Sequence, residues 1–351
     1  MRKICKLLSG VMMATSLAAA TAQQPAHPWA LVVHGGAGVI ERSSMGPKAE
    51  ASYRASLNEA AQAGAKVLDR GGSSLDAIEA VIKIFEDDPL FNAGRGAVFT
   101  AEGKNELDAA IMDGSNLKAG AVAGVTRTRH PISLARAVME KSPHVMLIGA
   151  GADAFAAQTG LEQVDPSYFF TERRWQSLVK QLKKEGLPIP QRPAGAPVPV
   201  PVAEIEPANA HKFGTVGVVA LDRAGNIAAG TSTGGTQGKK WGRVGDSPII
   251  GAGTYASNQS CAVSATGAGE YFIRLTVARE VCALVEYKGM TLQQAADQVI
   301  HKQLEALHGD GGLIAIAPDG QMAWSFNTPG MYRARQAEGG KLQISIYNDE
   351  P

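Results

Sequence analysis

Apolar positions along the chain fall into runs whose period changes repeatedly, and these runs predict alternating strands and helices. Ala30-Leu-Val-Val-His34 is an unbroken apolar strand leading into Gly35-Gly36-Ala37-Gly38. Lys48 to Arg70 carries apolar residues at helical spacing and stops at Gly71-Gly72, and Ser74 caps a second helix from Leu75 to about Asp87. Ala97–Thr100, Leu107–Met112 and Ala119–Val125 read as short β runs. Pro131 opens another helix. Val145–Ile148 is a strand and Ala152–Gln158 a helix. Further on, Thr215–Leu221 and Ile227–Thr233 form a hairpin around the turn Asp222-Arg-Ala-Gly-Asn226. Helices follow at Glu270–Tyr287 and Leu292–Leu307. Strands at Leu313–Ile316, Met322–Phe326 and Leu342–Tyr347 close the chain. Such an order predicts stacked sheets with helices outside.

Two stretches break this pattern. At the start, Arg2, Lys3 and Lys6 precede an uncharged apolar run, Leu7 to Ala20, and Ala20-Thr-Ala22 gives an A-x-A site. This is the layout of a secretory signal peptide over residues 1–22; as a membrane anchor the run falls short of the ~20 residues a span needs. Export then carries the mature chain across the inner membrane, to a periplasm if the source is bacterial, and leaves it no membrane attachment. The second stretch, 188–210, is crowded with proline from Pro188 to Pro207 and reads as an extended, exposed linker.

Composition narrows the partners. The 351 residues carry 34 basic and 33 acidic side chains, a net charge of +1, so neither nucleic acid nor an anionic membrane is indicated. Charged residues make up 19% and glycines number 40, which suits a protein rich in strands and tight turns. With Cys5 in the leader, Cys261 and Cys282 remain; a bridge between them stays open in an oxidising compartment, but two separate buried thiols are the favoured expectation. The histidines show no metal-ligand spacing, and His34 and His211 are expected in hydrogen-bonded structural roles.

The chemistry gathers after the linker. A threonine within a chain is a poor nucleophile, but at a new N-terminus its own α-amine, with a pKa of about 7.7–8.0, is a base beside the hydroxyl. Gly214-Thr215 stands at the start of an apolar strand, and glycine there permits a strained bond. The hairpin returns Thr233 beside Thr215. Gly242-Arg-Val-Gly-Asp-Ser-Pro248 holds Arg243 and Asp246 three residues apart in a glycine-rich loop. An arginine grips a carboxylate in bidentate fashion and an aspartate accepts from an ammonium, so the pair suits a free amino-acid head group. Ser264-Ala-Thr-Gly-Ala-Gly-Glu270 joins a strand to a helix, where backbone N–H groups suit a developing oxyanion.

These motifs, with Val33-His-Gly-Gly-Ala-Gly38, Pro89-Leu-Phe-Asn-Ala-Gly94, Glu106-Leu-Asp-Ala109, Met112-Asp-Gly114 and Phe326-Asn-Thr-Pro-Gly-Met-Tyr-Arg333 in this order, resemble the plant-type L-asparaginase and isoaspartyl peptidase family of N-terminal-nucleophile hydrolases. The resemblance implies a four-layer αββα sandwich. It implies a cut between Gly214 and Thr215, giving subunits 23–214 and 215–351 that assemble as (αβ)2. Thr215 is then the nucleophile and Thr233 tunes it. Arg243 holds the substrate α-carboxylate and Asp246 its α-ammonium, with Gly267 and Gly269 lining the pocket. Thr266 and the Gly267 N–H make the oxyanion hole, and Asn92 supports the site. The implied substrates are L-asparagine and β-aspartyl dipeptides. Catalysis needs no cofactor, while a structural sodium ion is implied in the loop of Glu86, Phe91 and Ala93. Arg95, where the family has an apolar residue, and Thr236 to Trp241 depart from the family pattern.

Other readings compete. The same scaffold serves glycosylasparaginase-like amidases. Gly230-Thr-Ser-Thr-Gly234 matches the serine-hydrolase elbow around Ser232 but lacks the helix that must follow it. Gly149-Ala-Gly-Ala-Asp-Ala154 matches a dinucleotide fingerprint without its acidic partner. A non-catalytic amino-acid-binding protein would use Arg243 and Asp246 alone.

Overall fold

Two β-sheets face each other across an apolar layer, and each carries helices on its outer side. The computed structural model describes residues 27–197 and 214–351. The leader, His211 and the later part of the proline-rich stretch lie outside them. Before that stretch come β1 (Ala30–Gly38), α1 (Pro47–Asp69), α2 (Ser74–Asp87), β2 (Leu107–Asp113), β3 (Ala119–Val125), α3 (Pro131–Lys141), β4 (Met146–Ile148), α4 (Gly149–Gln158) and α5 (Glu172–Glu185). After it come β5 (Val216–Leu221), β6 (Ile227–Thr233), β7 (Thr254–Ala256), β8 (Ala262–Gly267), α6 (Gly269–Leu275), α7 (Val277–Lys288), α8 (Leu292–Gln298), β9 (Gly311–Ile316), β10 (Met322–Phe326), β11 (Gly330–Ala337) and β12 (Gln343–Tyr347). The larger sheet runs β12-β11-β1-β5-β6-β2-β3-β4 and the smaller β10-β9-β8-β7.

The layers follow from which face each side chain takes. On β5, Val216, Val218 and Ala220 pack with Leu57, Ile78, Val81 and Ile82 of α1 and α2. Alternate residues Val219 and Leu221, with Ile227 and Ala229 of β6, meet Ala262, Ile314 and Ile316 of the smaller sheet. The far face of that sheet, through Val263, Ala265, Leu313 and Ala315, packs on Val277, Val281 and Ala296 of α7 and α8. Both faces of each central strand are therefore covered, which is why β5 reads as a continuous apolar run. The arrangement is the expected αββα sandwich, with β5 near the centre of the larger sheet.

Local chemistry sets the ends of the elements. Ser73, not Ser74, caps α2: its hydroxyl accepts from the Asp76 N–H and the Asp76 carboxylate accepts from its own N–H. The described part of the proline-rich stretch forms neither helix nor strand. Ala97–Thr100 is not a strand, because its backbone is used by side chains: Val98 N–H donates to Asn92 Oδ1, and Asn105 Nδ2 donates to the Ala97 and Val98 carbonyls. The helix expected from Glu270 to Tyr287 is two, broken where Thr276 takes φ 48° with no glycine or proline to mark it. The second expected helix continues past α8 as a π-helical stretch, Val299–Leu304. Helix α5, strongly amphipathic and held between Thr171 and the left-handed Gly186, was not foreseen, and neither were β7 and β11.

The expectation of two free thiols is corrected. Cys261 and Cys282 form a disulfide, their Cα atoms 5.2 Å apart. The bond ties the start of β8 to α7. Its closed loop of 21 residues is expected to add about 3 kcal/mol of stability. A Cys261→Ala/Cys282→Ala protein should melt several degrees lower than the oxidised protein, and a reducing agent should lower the melting temperature of the unsubstituted protein alone. An unchanged melting temperature under reduction would show that the bond carries no stability.

Candidate active site

The hairpin register brings the threonines together. Val216 pairs with Ser232 across β5 and β6, so Thr215 lies opposite Thr233. Thr215 Oγ1 donates to Thr233 Oγ1 at 3.0 Å, and Thr233 Oγ1 also accepts from the Gly235 N–H at 3.0 Å. Both threonines are buried. Strand alternation turns Thr231 and Thr233 toward the smaller sheet and Ser232 toward the helices. There Ser232 Oγ donates to Glu86 Oε1 at 2.7 Å, on the far side of the sheet from the Thr215 hydroxyl. Ser232 thus has the wrong face for the elbow that its motif suggested.

The peptide before Thr215 is held from two sides. The Asn92 N–H donates to the Gly214 carbonyl at 3.1 Å. Asn92 is itself fixed, because Nδ2 donates to the Gly235 carbonyl, Oδ1 accepts from Val98 and its carbonyl accepts from Gly234. On the other side stands Gly36, at φ 106°, next to an irregularity in the pairing of β1. A Cβ on Gly36 would come within 2.6 Å of the Gly214 Cα. Glycine is required there for both conformation and space.

Thr215 opens into a small cavity lined also by Thr233, Gly235, Thr236, Arg243, Gly245, Asp246, Ser247 and Gly267. Asp246 is 4% exposed and its Oδ2 has no hydrogen-bond partner. Burial pushes its carboxyl up to about 7, against the pull of its own backbone and of Arg243. An unpartnered buried carboxylate oxygen facing a cavity fits a cationic group. The Arg243 guanidinium lies on the Glu270 carboxylate, Nε to Oε1 at 2.9 Å and Nη2 to Oε2 at 3.0 Å. That contact holds the Glu270 carboxyl below its ordinary value. Gly269 backs both clamp residues: a Cβ there would lie 2.9 Å from Arg243 Nη2 and from Asp246 Oδ1.

Thr266 is fully buried and sits one step behind the cavity, its Oγ1 accepting from the Ala37 N–H at 3.4 Å. Below the threonines runs a buried polar chain. His34 Nε2 pairs with Ser264 Oγ at 3.0 Å, Ser264 Oγ with Thr231 Oγ1 at 2.7 Å, and Thr231 Oγ1 with Thr254 Oγ1 at 2.7 Å. Burial lowers the His34 imidazole to about 3, so it is neutral at any working pH. The imidazole is fully buried and is held through Nε2 by Ser264.

The family described as Asparaginase matches residues 27–346. The chain belongs to this family. It is 48% identical to an isoaspartyl peptidase of Escherichia coli (strain K12) over 91% of this chain and 96% of the relative. It is 42% identical to an isoaspartyl peptidase/L-asparaginase of Rattus norvegicus, over 90% and 88%. A plant-type L-asparaginase of Pyrococcus abyssi is also 42% identical, over 88% and 97%. Like its relatives in the asparaginase family, this protein is an amidohydrolase.

In the loop of Glu86, Phe91 and Ala93 the Glu86 side chain is already engaged elsewhere. The Glu86 carboxylate is turned away, accepting from Ser232 and from the Ile132 N–H at 3.0 Å, with His130 Nδ1 at 3.3 Å from Oε2. Its main-chain oxygen and that of Phe91 instead crowd Gly94 and Gly96, where an added Cβ would lie 2.1 and 1.9 Å away. The Ala93 carbonyl accepts from the Gly96 N–H. Arg95 points outward over the Tyr168 ring. Among the described residues no group of histidine, cysteine, aspartate and glutamate could hold a metal.

Three features of the site escaped the sequence reading. Glu270 was seen only as the end of a motif, and its partner Arg243 lies across a turn. The contact of Gly36 with Gly214 joins β1 to β5. Lys239 is buried 3.9 Å from Asp108 Oδ2, and its Nζ donates to the Glu106 carbonyl at 2.9 Å, which anchors the loop that carries Thr236.

Gly36→Ala is expected to displace the Gly214–Thr215 peptide and slow self-cleavage at least tenfold, read as uncut chain on a denaturing gel. Cleavage at the parental rate would show that the contact is not required.

Proposed function

We propose that the chain cuts its own Gly214–Thr215 bond and that the freed Thr215 then hydrolyses the side-chain amide of L-asparagine and the isopeptide bond of β-aspartyl dipeptides, releasing L-aspartate. The observation that carries this reading is a buried threonine hydroxyl, paired with Thr233, in one cavity with the unpartnered carboxylate oxygen of Asp246 and the fork of Arg243.

In the first stage the Thr215 hydroxyl attacks the Gly214 carbonyl, polarised by the Asn92 N–H, and the amide shifts to an ester that water opens. In the second the free α-amine takes the hydroxyl proton and Oγ1 attacks the substrate's side-chain carbonyl carbon. Arg243 binds the α-carboxylate and Asp246 the α-ammonium, so the reacting carbonyl sits over Thr215. Gly267, which lines the cavity, offers its N–H to the developing oxyanion, and Thr266 supports it from behind. Ammonia or an amino acid leaves with the proton from the α-amine, and water releases aspartate from the acyl-enzyme. Glu270 holds the guanidinium plane in the free enzyme and yields part of it to the incoming carboxylate. No cofactor takes part. A sodium ion in the Glu86–Ala93 loop would brace Asn92 and carry no chemical step.

The 42–48% identity to named isoaspartyl peptidases and asparaginases over most of the chain supports the substrate class. We further propose an exported, periplasmic protein that loses residues 1–22 and assembles as (αβ)2. The basic and apolar leader supports export, and the Cys261–Cys282 bond suits an oxidising compartment.

Arg243→Ala should still self-cleave but lose at least about a hundredfold in kcat/KM for L-asparagine; parental turnover would remove Arg243 from the clamp. Substrate ammonium needs the ionised Asp246, so kcat/KM should rise with pH along an acid limb near 7. Stability runs the other way. Folding raises this carboxyl, so its cost is absent below the unfolded value near 4 and complete above about 7. Asp246→Asn should therefore melt higher than the parent at pH 8, gain little at pH 4, and lose turnover at both. Equal melting shifts at pH 4 and pH 8 would mean that the buried charge is not the cause.

A further inference from the structure

The loop from β6 ends in a tight turn beside the cavity. The Arg243 N–H donates to the Lys240 carbonyl at 3.0 Å, and both central residues have positive φ, 56° at Trp241 and 70° at Gly242. This is the signature of a type I′ turn, whose first central position favours Asn, Asp or Gly. A tryptophan meets the steric penalty of the left-handed region there. It is also 96% exposed, so the indole gains no burial in return. Local preference and solvation both oppose this residue at this place, which points to a use outside the folded chain.

The turn's position supplies the use. Its last residue, Arg243, lines the cavity with Thr215, and Thr236 of the same loop lines it too. In the reaction proposed above Arg243 and Asp246 take the aspartyl head group, so the departing half of a dipeptide lies beyond it, and the turn between Thr236 and Arg243 borders the same cavity. Lys240 Nζ lies 6.0 Å from the indole centroid, placing an ammonium beside the aromatic face. For L-asparagine the leaving group is ammonia, which needs neither. For a β-aspartyl dipeptide it is an amino acid with a side chain and a free carboxylate.

We propose that Trp241 and Lys240 form a leaving-group subsite that selects β-aspartyl dipeptides with an apolar or aromatic second residue, the indole meeting that side chain and Lys240 its carboxylate. The proposal rests on the reaction proposed above.

Trp241→Asn tests it cleanly, because Asn is the residue that the turn prefers and the backbone beside Arg243 is kept. The self-cleaved enzyme is assayed on β-aspartyl-phenylalanine, β-aspartyl-glycine and L-asparagine, and its mass in solution is measured. We expect about a tenfold loss of kcat/KM on the phenylalanine dipeptide, carried by KM, with the other two changing less than twofold. Lys240→Gln should weaken turnover of β-aspartyl-phenylalanine but not of its C-terminal amide. An equal effect of Trp241→Asn on all three substrates, or none on any, overturns the subsite. So does a drop in solution mass, which would assign the indole to an interface between copies. A wild-type enzyme inactive on every one of these amides would overturn the reaction itself, and the subsite with it.

Discussion

The Gly214 carbonyl accepts a hydrogen bond from the Asn92 N–H, and Gly36 closes against the same peptide from the other side. This clamp is the constraint on which the rest depends. It fixes the point where the chain enters β5, in the middle of the larger sheet, and so fixes the height of Thr215 against Thr233. It also explains why a loop between α2 and β2 and a glycine run at the end of β1 belong to one site. Asn92 uses its main-chain N–H and C=O and both side-chain polar atoms to hold Gly214, Gly234, Gly235 and Val98 in one arrangement. Such a residue acts by position more than by proton transfer.

Around the clamp the protein buries several polar groups, and their partners separate structure from chemistry. Burial raises the carboxyls of Glu86 and Asp108, but hydrogen bonds or a cation oppose that: Ser232, Ile132 and His130 for Glu86, Lys239 and the Gly124 N–H for Asp108. His34 is neutral and tied to Ser264. Asp246 is buried, raised to about 7, and has an oxygen with nothing to bind. A charge left this way destabilises the free protein and is retained where a ligand completes it.

The layered skeleton was legible because the central strands are covered on both faces, so that β5 and β9 read as apolar runs and β6 and β8 as small-residue runs broken only by Ser and Thr. The site threonine stands where the β5 run begins, but it was the motifs downstream, from Thr233 to Glu270, that singled it out. β11 was not, because Arg333 and Arg335 interrupt its pattern. Arg333 is 1% exposed all the same: its Nη1 and Nη2 donate to the Met331, Tyr347 and Glu350 carbonyls and its guanidinium lies over the faces of Trp324 and Phe326. The break at Thr276 has no marker in composition. Pairing of Cys261 with Cys282, and of Arg243 with Glu270, depends on the third dimension, which spacing alone does not give. Ser232 shows the converse: its motif was present, and only the alternation of β6 reveals that it faces the wrong layer.

Intact mass and N-terminal sequencing of the purified protein, beside its Thr215→Ala variant, test the central claim most directly. The account predicts two chains, the smaller running from Thr215 to Pro351, and a single uncut chain in the variant. A wild-type protein that stays in one piece while hydrolysing L-asparagine would contradict it, since the Thr215 amine would then never be free to serve as the base.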